Sequence, residues 1–415
     1  MTYTVRPWRL ALAMLLVCGA AAAQDVDPLS LQSAAPAAEE ATADGKFFVE
    51  AAIGLNQRRF GLQNQTPARL SLDYAHRWRL GGGWRAALSN RLDVQDPLVP
   101  GASERVLNSL REAYAGWGNE AGDTLVEFGR INLRFGPAYG YNPTDFFRAG
   151  ALRSATNVDP IALRENRLGT VMLRGQHIVG SQTFGWVLAP KLDSAPDGRS
   201  FSLDLGATNR SNRVLLSWAS RFSDRLSTQL IAFDERGKGV QIGLNATALV
   251  SDSVVLFGEL TQGRDRNLLG AQRRSDQRAA AGFTLALPAK LSVTLEYSHN
   301  GFGLDSADAA RARLLGPAAF GAALTGSRVL QDQWSREAWT LYLTQQGGLM
   351  RRLDLSALLR HNPVDDSQLG WVELRQRWDG FDSALQYQWT RGSSFSEYGF
   401  SPVRSQLLAL LTVYF

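Results

Sequence analysis

Long stretches of this chain alternate apolar and polar residues with a period of two, a pattern that few folds can accommodate. In residues 69–80, Leu70, Leu72, Tyr74, Trp78 and Leu80 share one face, while Arg69, Ser71, Asp73, Arg77 and Arg79 share the other. Gly81, Gly82 and Gly83 supply a tight turn, after which Trp84, Ala86, Leu88, Leu92 and Val94 alternate with Arg85, Ser89, Arg91 and Asp93. Two such runs around a glycine turn read as a hairpin of two-faced strands. The pattern recurs in residues 240–248 and 291–298. Strands of a water-soluble β-sandwich average about 5–6 residues. These runs reach about 10–12, the length a tilted strand needs to cross a bilayer.

Aromatic placement supports the membrane alternative. The chain has 11 Trp, 19 Phe and 10 Tyr, distributed along its length rather than gathered into one core segment. Trp78 and Trp84 flank one turn, Trp378 and Phe381 another, and Trp389 and Phe395 a loop. Aromatic girdles of this kind mark the two interfaces of a transmembrane barrel. An open sheet edge cannot exist in lipid, so the sheet must close. The expected fold is all-β: a closed antiparallel transmembrane barrel of about 18 strands, give or take two.

Residues 1–23 read as an export signal. Arg6 and Arg9 form the basic start, residues 10–17 an apolar run, and Ala21, Ala22 and Ala23 a small-residue cleavage site. Cys18, the sole cysteine, leaves with that segment unless it carries lipid, for which Val17 is a poor predecessor. Residues 24–45, rich in Ala, Pro, Glu and Asp, form an expected flexible tail. Residues 46–415 form the barrel. The formal net charge is +5, with Lys only at positions 46, 191, 238 and 290, so nearly all positive charge is Arg. Bases are interleaved with acids and form no basic run, which argues against a nucleic-acid partner.

Turn lengths fix the sidedness. Short turns at 81–83, 119–122, 179–180, 223–224, 251–252 and 288–289 fall on the periplasmic side and longer connections on the extracellular side. Treating residues 200–207 as a strand gives an odd strand count, whereas absorbing 191–211 into one extracellular loop restores parity.

The chain ends RSQLLALLTVYF, with Leu407, Ala409, Leu411, Val413 and Phe415 on one face. A last strand alternating to a terminal aromatic resembles the assembly signal of bacterial outer-membrane proteins. The resemblance implies an outer-membrane location and, through Phe415, recognition by the barrel-assembly machinery.

Residues 135–166 form the third extracellular connection, between strands five and six, and are far longer than an ordinary loop. That position resembles the inward-folding constriction loop of Gram-negative porins. The segments Gly129–Gly136 and Asn142–Asp145 are also similar to porin-like exporters related to alginate-export barrels. Gly136, Gly140 and Gly150 permit sharp turns, and Pro137 and Pro143 stiffen the loop. Residues 142–145 read as a turn opening a helical piece that contains Phe146 and Phe147, two rings able to anchor it. Asp145, Arg148, Arg153, Asp159, Arg164, Glu165 and Arg167 are then expected at the pore constriction. Across from them, Arg69, Arg77, Arg85, Arg91, Arg352, Arg360, Arg375 and Arg377 face the lumen, mixed with Asp73, Asp93, Asp354, Asp382, Glu296 and Glu373. Such arginines act either as a structural ladder of ion pairs or as an anion filter. A second long loop, residues 301–333, carries Asp305, Asp308, Arg311 and Arg313 at helical spacing and is expected to form a short, solvated surface helix.

The function these features imply is a porin: a channel for diffusion of small anionic or polar solutes, either trimeric or monomeric. The alternative is a barrel that exports or assembles surface polysaccharide. A hydrolase ranks below both, because His76, His177, His299 and His361 sit near strand ends with no Ser or acid in a recognisable motif. No cofactor or metal is expected, since no ligand spacing or phosphate-binding loop is present.

Overall fold

The computed structural model describes residues 45–97, 104–154, 156–270, 272–348 and 350–415. The export signal and nearly all of the tail lie outside the described residues. Six strands come first: β1 (Lys46–Arg58), β2 (Ala68–Gly81), β3 (Trp84–Asp96), β4 (Val106–Gly118), β5 (Thr124–Ile131) and β6 (Thr170–Val179). Next come β7 (Gln182–Ala189), β8 (Arg213–Ser223), β9 (Leu226–Glu235), β10 (Gly239–Ser251), β11 (Val254–Arg266) and β12 (Arg273–Leu287). The last six are β13 (Leu291–Asn300), β14 (Glu337–Gln346), β15 (Leu353–Asn362), β16 (Ser367–Arg377), β17 (Phe381–Arg391) and β18 (Val403–Tyr414). Every strand pairs antiparallel with its sequence neighbours, and β1 pairs with β18, so the 18-stranded sheet closes on itself. At that seam Phe415, exposed, lies 5.3 Å from the ring of Phe47.

The alternation read from the sequence separates inside from outside. On β2, Leu70 and Leu72 are exposed while Ser71 and Asp73 are buried. Ile53, Leu55, Leu216, Leu244, Leu260, Leu385 and Leu407 are likewise exposed. Exposed leucine beside buried aspartate is the reverse of a soluble protein and puts lipid on the outside, the polar lumen within. The turns expected at the periplasmic side all join neighbouring strands, and residues 190–212 form a single connection holding only the short helix α2 (Leu205–Thr208), with no extra strand.

Two connections reach beyond ordinary loops. The third extracellular loop, L3, runs from residue 132 to 169 and includes helix α1 (Pro160–Glu165). The seventh, L7, runs from 301 to 336 and contains two helices rather than one short one, α3 (Ser306–Leu314) and α4 (Gly316–Leu330). Its helices are not merely solvated. Phe320 of α4 packs against Trp334, Phe395 and Phe400, with ring centroids 5.4, 5.6 and 4.9 Å away.

Candidate pore constriction

L3 leaves the barrel wall at β5, crosses the lumen and returns to β6. Its outward leg meets β11 and β13, which stand across the ring from β5. There Glu296 accepts backbone N–H groups from Tyr139, Gly140 and Tyr141 at 2.7, 3.1 and 2.9 Å. Glu259 accepts from the Ala138 and Thr144 N–H groups at 2.7 and 3.2 Å and from the Thr144 hydroxyl at 2.9 Å. The same Thr144 hydroxyl lies 2.7 Å from Asn245 Oδ1 of β10, its single proton shared between the two acceptors. Two buried carboxylates therefore serve as the hydrogen-bond partners that this stretch of loop backbone would otherwise lack. Gly136 has φ +82, and a Cβ there would collide with the Glu259 carboxylate, so glycine is required twice over.

The near wall holds L3 by a different means. Phe146 stacks on Phe233 of β9 at 4.5 Å, and Phe147 meets the same ring edge-on at 5.9 Å. Around them Leu133, Phe135, Met172, Val187, Leu215 and Ile231 are buried in one cluster. The anchoring role expected of the two phenylalanines is thus present, but the helix expected around them is not. Residues 142–150 form successive turns instead. The Thr144 N–H goes to Glu259 and the Asp145 side chain pairs with Arg167, so neither is left to start a helix. The helix forms later, where Asp159 caps it by accepting from the Ile161 N–H at 3.1 Å and Pro160 occupies its first turn.

The loop charges fall into two groups. Asp145 and Arg167 are buried against each other. Arg148 pairs with Asp332 of L7 at 3.1 Å, and Asp332 also holds Arg278 of β12 at 3.1 Å and accepts the Tyr141 hydroxyl. Burial alone would raise the Asp332 carboxyl, but Arg278 and Arg148 hold it down at about 2. Asp159 accepts from the Tyr342 hydroxyl at 3.0 Å, and burial pushes its carboxyl up to about 6. Glu165 is exposed. Arg153 and Arg164 differ from the rest. Arg153 donates to the carbonyls of Ser202 and Arg199, and Arg164 to those of Phe135 and Gly136 at 2.9 and 3.0 Å. Neither has a carboxylate within ion-pair distance among the described residues. Burial brings the Arg164 guanidinium down to about 10, which leaves it charged at neutral pH.

The wall arginines behave mainly as a ladder. Arg91 contacts Glu50, Asp73 and Asp93 at 2.9, 3.2 and 3.0 Å, and Arg111 joins the same lattice through Asp73 at 2.9 Å. Arg375 pairs with Glu373 at 2.8 Å, and Arg85, half-exposed, with Glu127 at 2.8 Å. Arg352 does not belong to the wall. It lies in the turn before β15 with φ +63 and reaches Asp379 at 2.7 Å. Sequence reasoning passed over Glu259, Asp332 and the apolar platform under L3. The platform had one readable sign: Val214–Leu216 and Leu230–Phe233 are unbroken apolar runs, the mark of strands covered on both faces.

The closed barrel recurs among solved structures. OccAB1 of Acinetobacter baumannii superposes with a TM-score of 0.57 at 10% identity, covering 91% of this chain and 99% of its own. The fold is that of the outer-membrane porins. OccK3 (OpdO) of Pseudomonas aeruginosa gives 0.53 at 11% identity, covering 90% and 96%. A triple mutant of Rhodopseudomonas blastica porin gives 0.44 at 10% identity, covering 90% and 99%. Neither a protein-family model nor a curated protein matches the sequence.

Proposed function

We propose that this porin-type barrel is a diffusion channel for small polar solutes, that it favours anions, and that L3 forms its constriction. The observation that carries the reading is the hydrogen bonding of Arg153 and Arg164. Their guanidinium groups are held by neutral carbonyls, so their positions are fixed while their charge is not cancelled. L3 carries five arginines against three acids, and pairing of Arg148 and Arg167 leaves the balance on these two and Arg134. Fixed positive charge in a narrow aqueous passage favours anions. Arg91 and Arg375, saturated by carboxylates, serve to stiffen the wall.

The test is the zero-current potential of the purified protein in a planar bilayer under a KCl gradient. The expected result is an open, ohmic pore with an anion-selective potential that moves toward zero in Arg153→Gln/Arg164→Gln. A closed barrel would overturn the diffusion reading and favour export or assembly of surface polysaccharide; an unmoved potential would overturn the role given to the two arginines.

A further inference from the structure

The outside of the barrel carries one patch that a lipid belt does not account for. On β11 and β12 the alternation continues past the apolar zone into the extracellular ends of both strands. The outward positions there are Gln262, Arg264 and Arg266 on β11, opposite Gln277, Ser275 and Arg273 on β12. All six are exposed. Their inward neighbours hold the acids: Asp265 faces Arg278 at 2.9 Å, and Asp276 lies 3.3 Å from Arg274. The strand register thus confines both acids to the lumen side, where Arg274 and Arg278 pair with them, and leaves three arginines toward the outside. Beside Gln262 the flanking β10 presents Ile242, and beside Gln277 the chain just past β13 presents Gly301, neither of them an acid; the exposed acid Asp234 of β9 stands one strand further on, opposite Val240.

Height above the membrane defines the partner. Outward on β12, Ala279, Ala281, Phe283, Leu285 and Leu287 form the lipid-facing run. At about 3.3 Å per residue and the usual strand tilt, that run covers about 20–25 Å, the whole apolar band. Gln277 sits at its upper edge, and each further pair of residues climbs about 5 Å. The arginines therefore stand level with the headgroups of the outer leaflet, with stems long enough to lie along the apolar edge. Gln262 donates to the Ser275 hydroxyl at 2.9 Å, and Arg273 reaches the Gly237 carbonyl. Arg264 and Arg266 have no side-chain hydrogen bond or ion pair among the described residues. Their planar, fork-shaped donors are free to grip a phosphate in bidentate fashion.

We propose that Arg264, Arg266 and Arg273, with the neighbouring amides and hydroxyl, bind the phosphate groups of an anionic lipid in the outer leaflet. The site is separate from the pore and would fix the orientation and depth of this side of the barrel.

The test titrates the detergent-solubilised full chain with a fluorescent bis-phosphorylated glycolipid and with its dephosphorylated form. Saturable binding of the phosphorylated lipid is expected. It should weaken about fivefold for each arginine removed, hence about 25-fold in Arg264→Gln/Arg266→Gln, and it should weaken further with added salt. This double variant keeps the contact of Arg273 with Gly237, and its conductance should stay at the wild-type value because both side chains face away from the lumen. If the double variant does not fold, the single variants carry the same test at about fivefold each. Equal affinity for the two lipids, or unchanged affinity in the variants, would overturn the proposal. So would displacement of the lipid by inorganic phosphate at equal concentration, which would make the free anion the ligand.

Discussion

L3 is fastened to opposite walls of the lumen by opposite kinds of chemistry. On the β11–β13 side, two buried carboxylates gather loop N–H groups. On the β8–β9 side, two phenylalanine rings lie on an apolar platform. The difference lies in how each fails. A carboxylate latch is directional, so one lost partner leaves several buried donors unsatisfied. An apolar platform tolerates small shifts and loses energy in proportion to the contact removed. The loop is positioned by the first and held down by the second.

Breaking the polar side should have the largest effect. Glu259→Gln with Glu296→Gln replaces an acceptor oxygen by an amide NH2 at each site, leaving buried loop donors unsatisfied at a cost of about 1–3 kcal/mol each. Single-channel records should show L3 leaving the far wall as conductance that fluctuates severalfold. Next is Asp332→Asn, which strips the shared carboxylate from Arg148 and Arg278. Arg278 keeps Asp265 at 2.9 Å, but Arg148 is left as an unpaired buried charge at a cost of about 3–5 kcal/mol, and the contact between L7 and L3 should loosen, read as faster proteolysis of both loops. Phe233→Ala attacks the apolar side. It should cost about 3 kcal/mol and raise protease access to L3 while leaving ion selectivity in place, because no charge has moved.

The smallest effect concerns pH. Burial raises the Asp159 carboxyl to about 6, near Tyr342, Glu373 and Glu165, so the packed arrangement binds a proton more readily than the free loop does. A raised acid stabilises the packed state fully below the ordinary carboxylate range, and that contribution is lost as pH rises through 6. Open-channel noise should therefore fall between pH 7 and pH 5 in the wild type and stay flat in Asp159→Asn.

These contrasts follow what the sequence made legible. Period-two patterning shows on its face where the strands lie, which loops are long and which side is lipid, because Leu70 and Asp73 obey one rule along the whole strand. It also brings out L3 as the odd segment and Phe146 and Phe147 as its anchors. Glu259 and Glu296 look like any inward polar residue. Nothing local marks them as partners of loop groups more than a hundred positions away, since that pairing exists only once the ring has closed. The same holds for Asp332, whose two arginines come from L3 and β12. The apolar platform escaped for another reason: alternation cannot assign inside and outside where Leu215 and Leu216 are both apolar. Arg352 was misplaced because a turn residue next to a strand shares the strand's parity.

The most direct test of the account replaces residues 138–149 with a shorter Gly/Ser linker and measures single-channel conductance in a planar bilayer. If L3 crosses and narrows the lumen, conductance rises severalfold and anion preference falls with it. A variant that folds, inserts and conducts at the wild-type level would contradict the claim that this loop sets the pore.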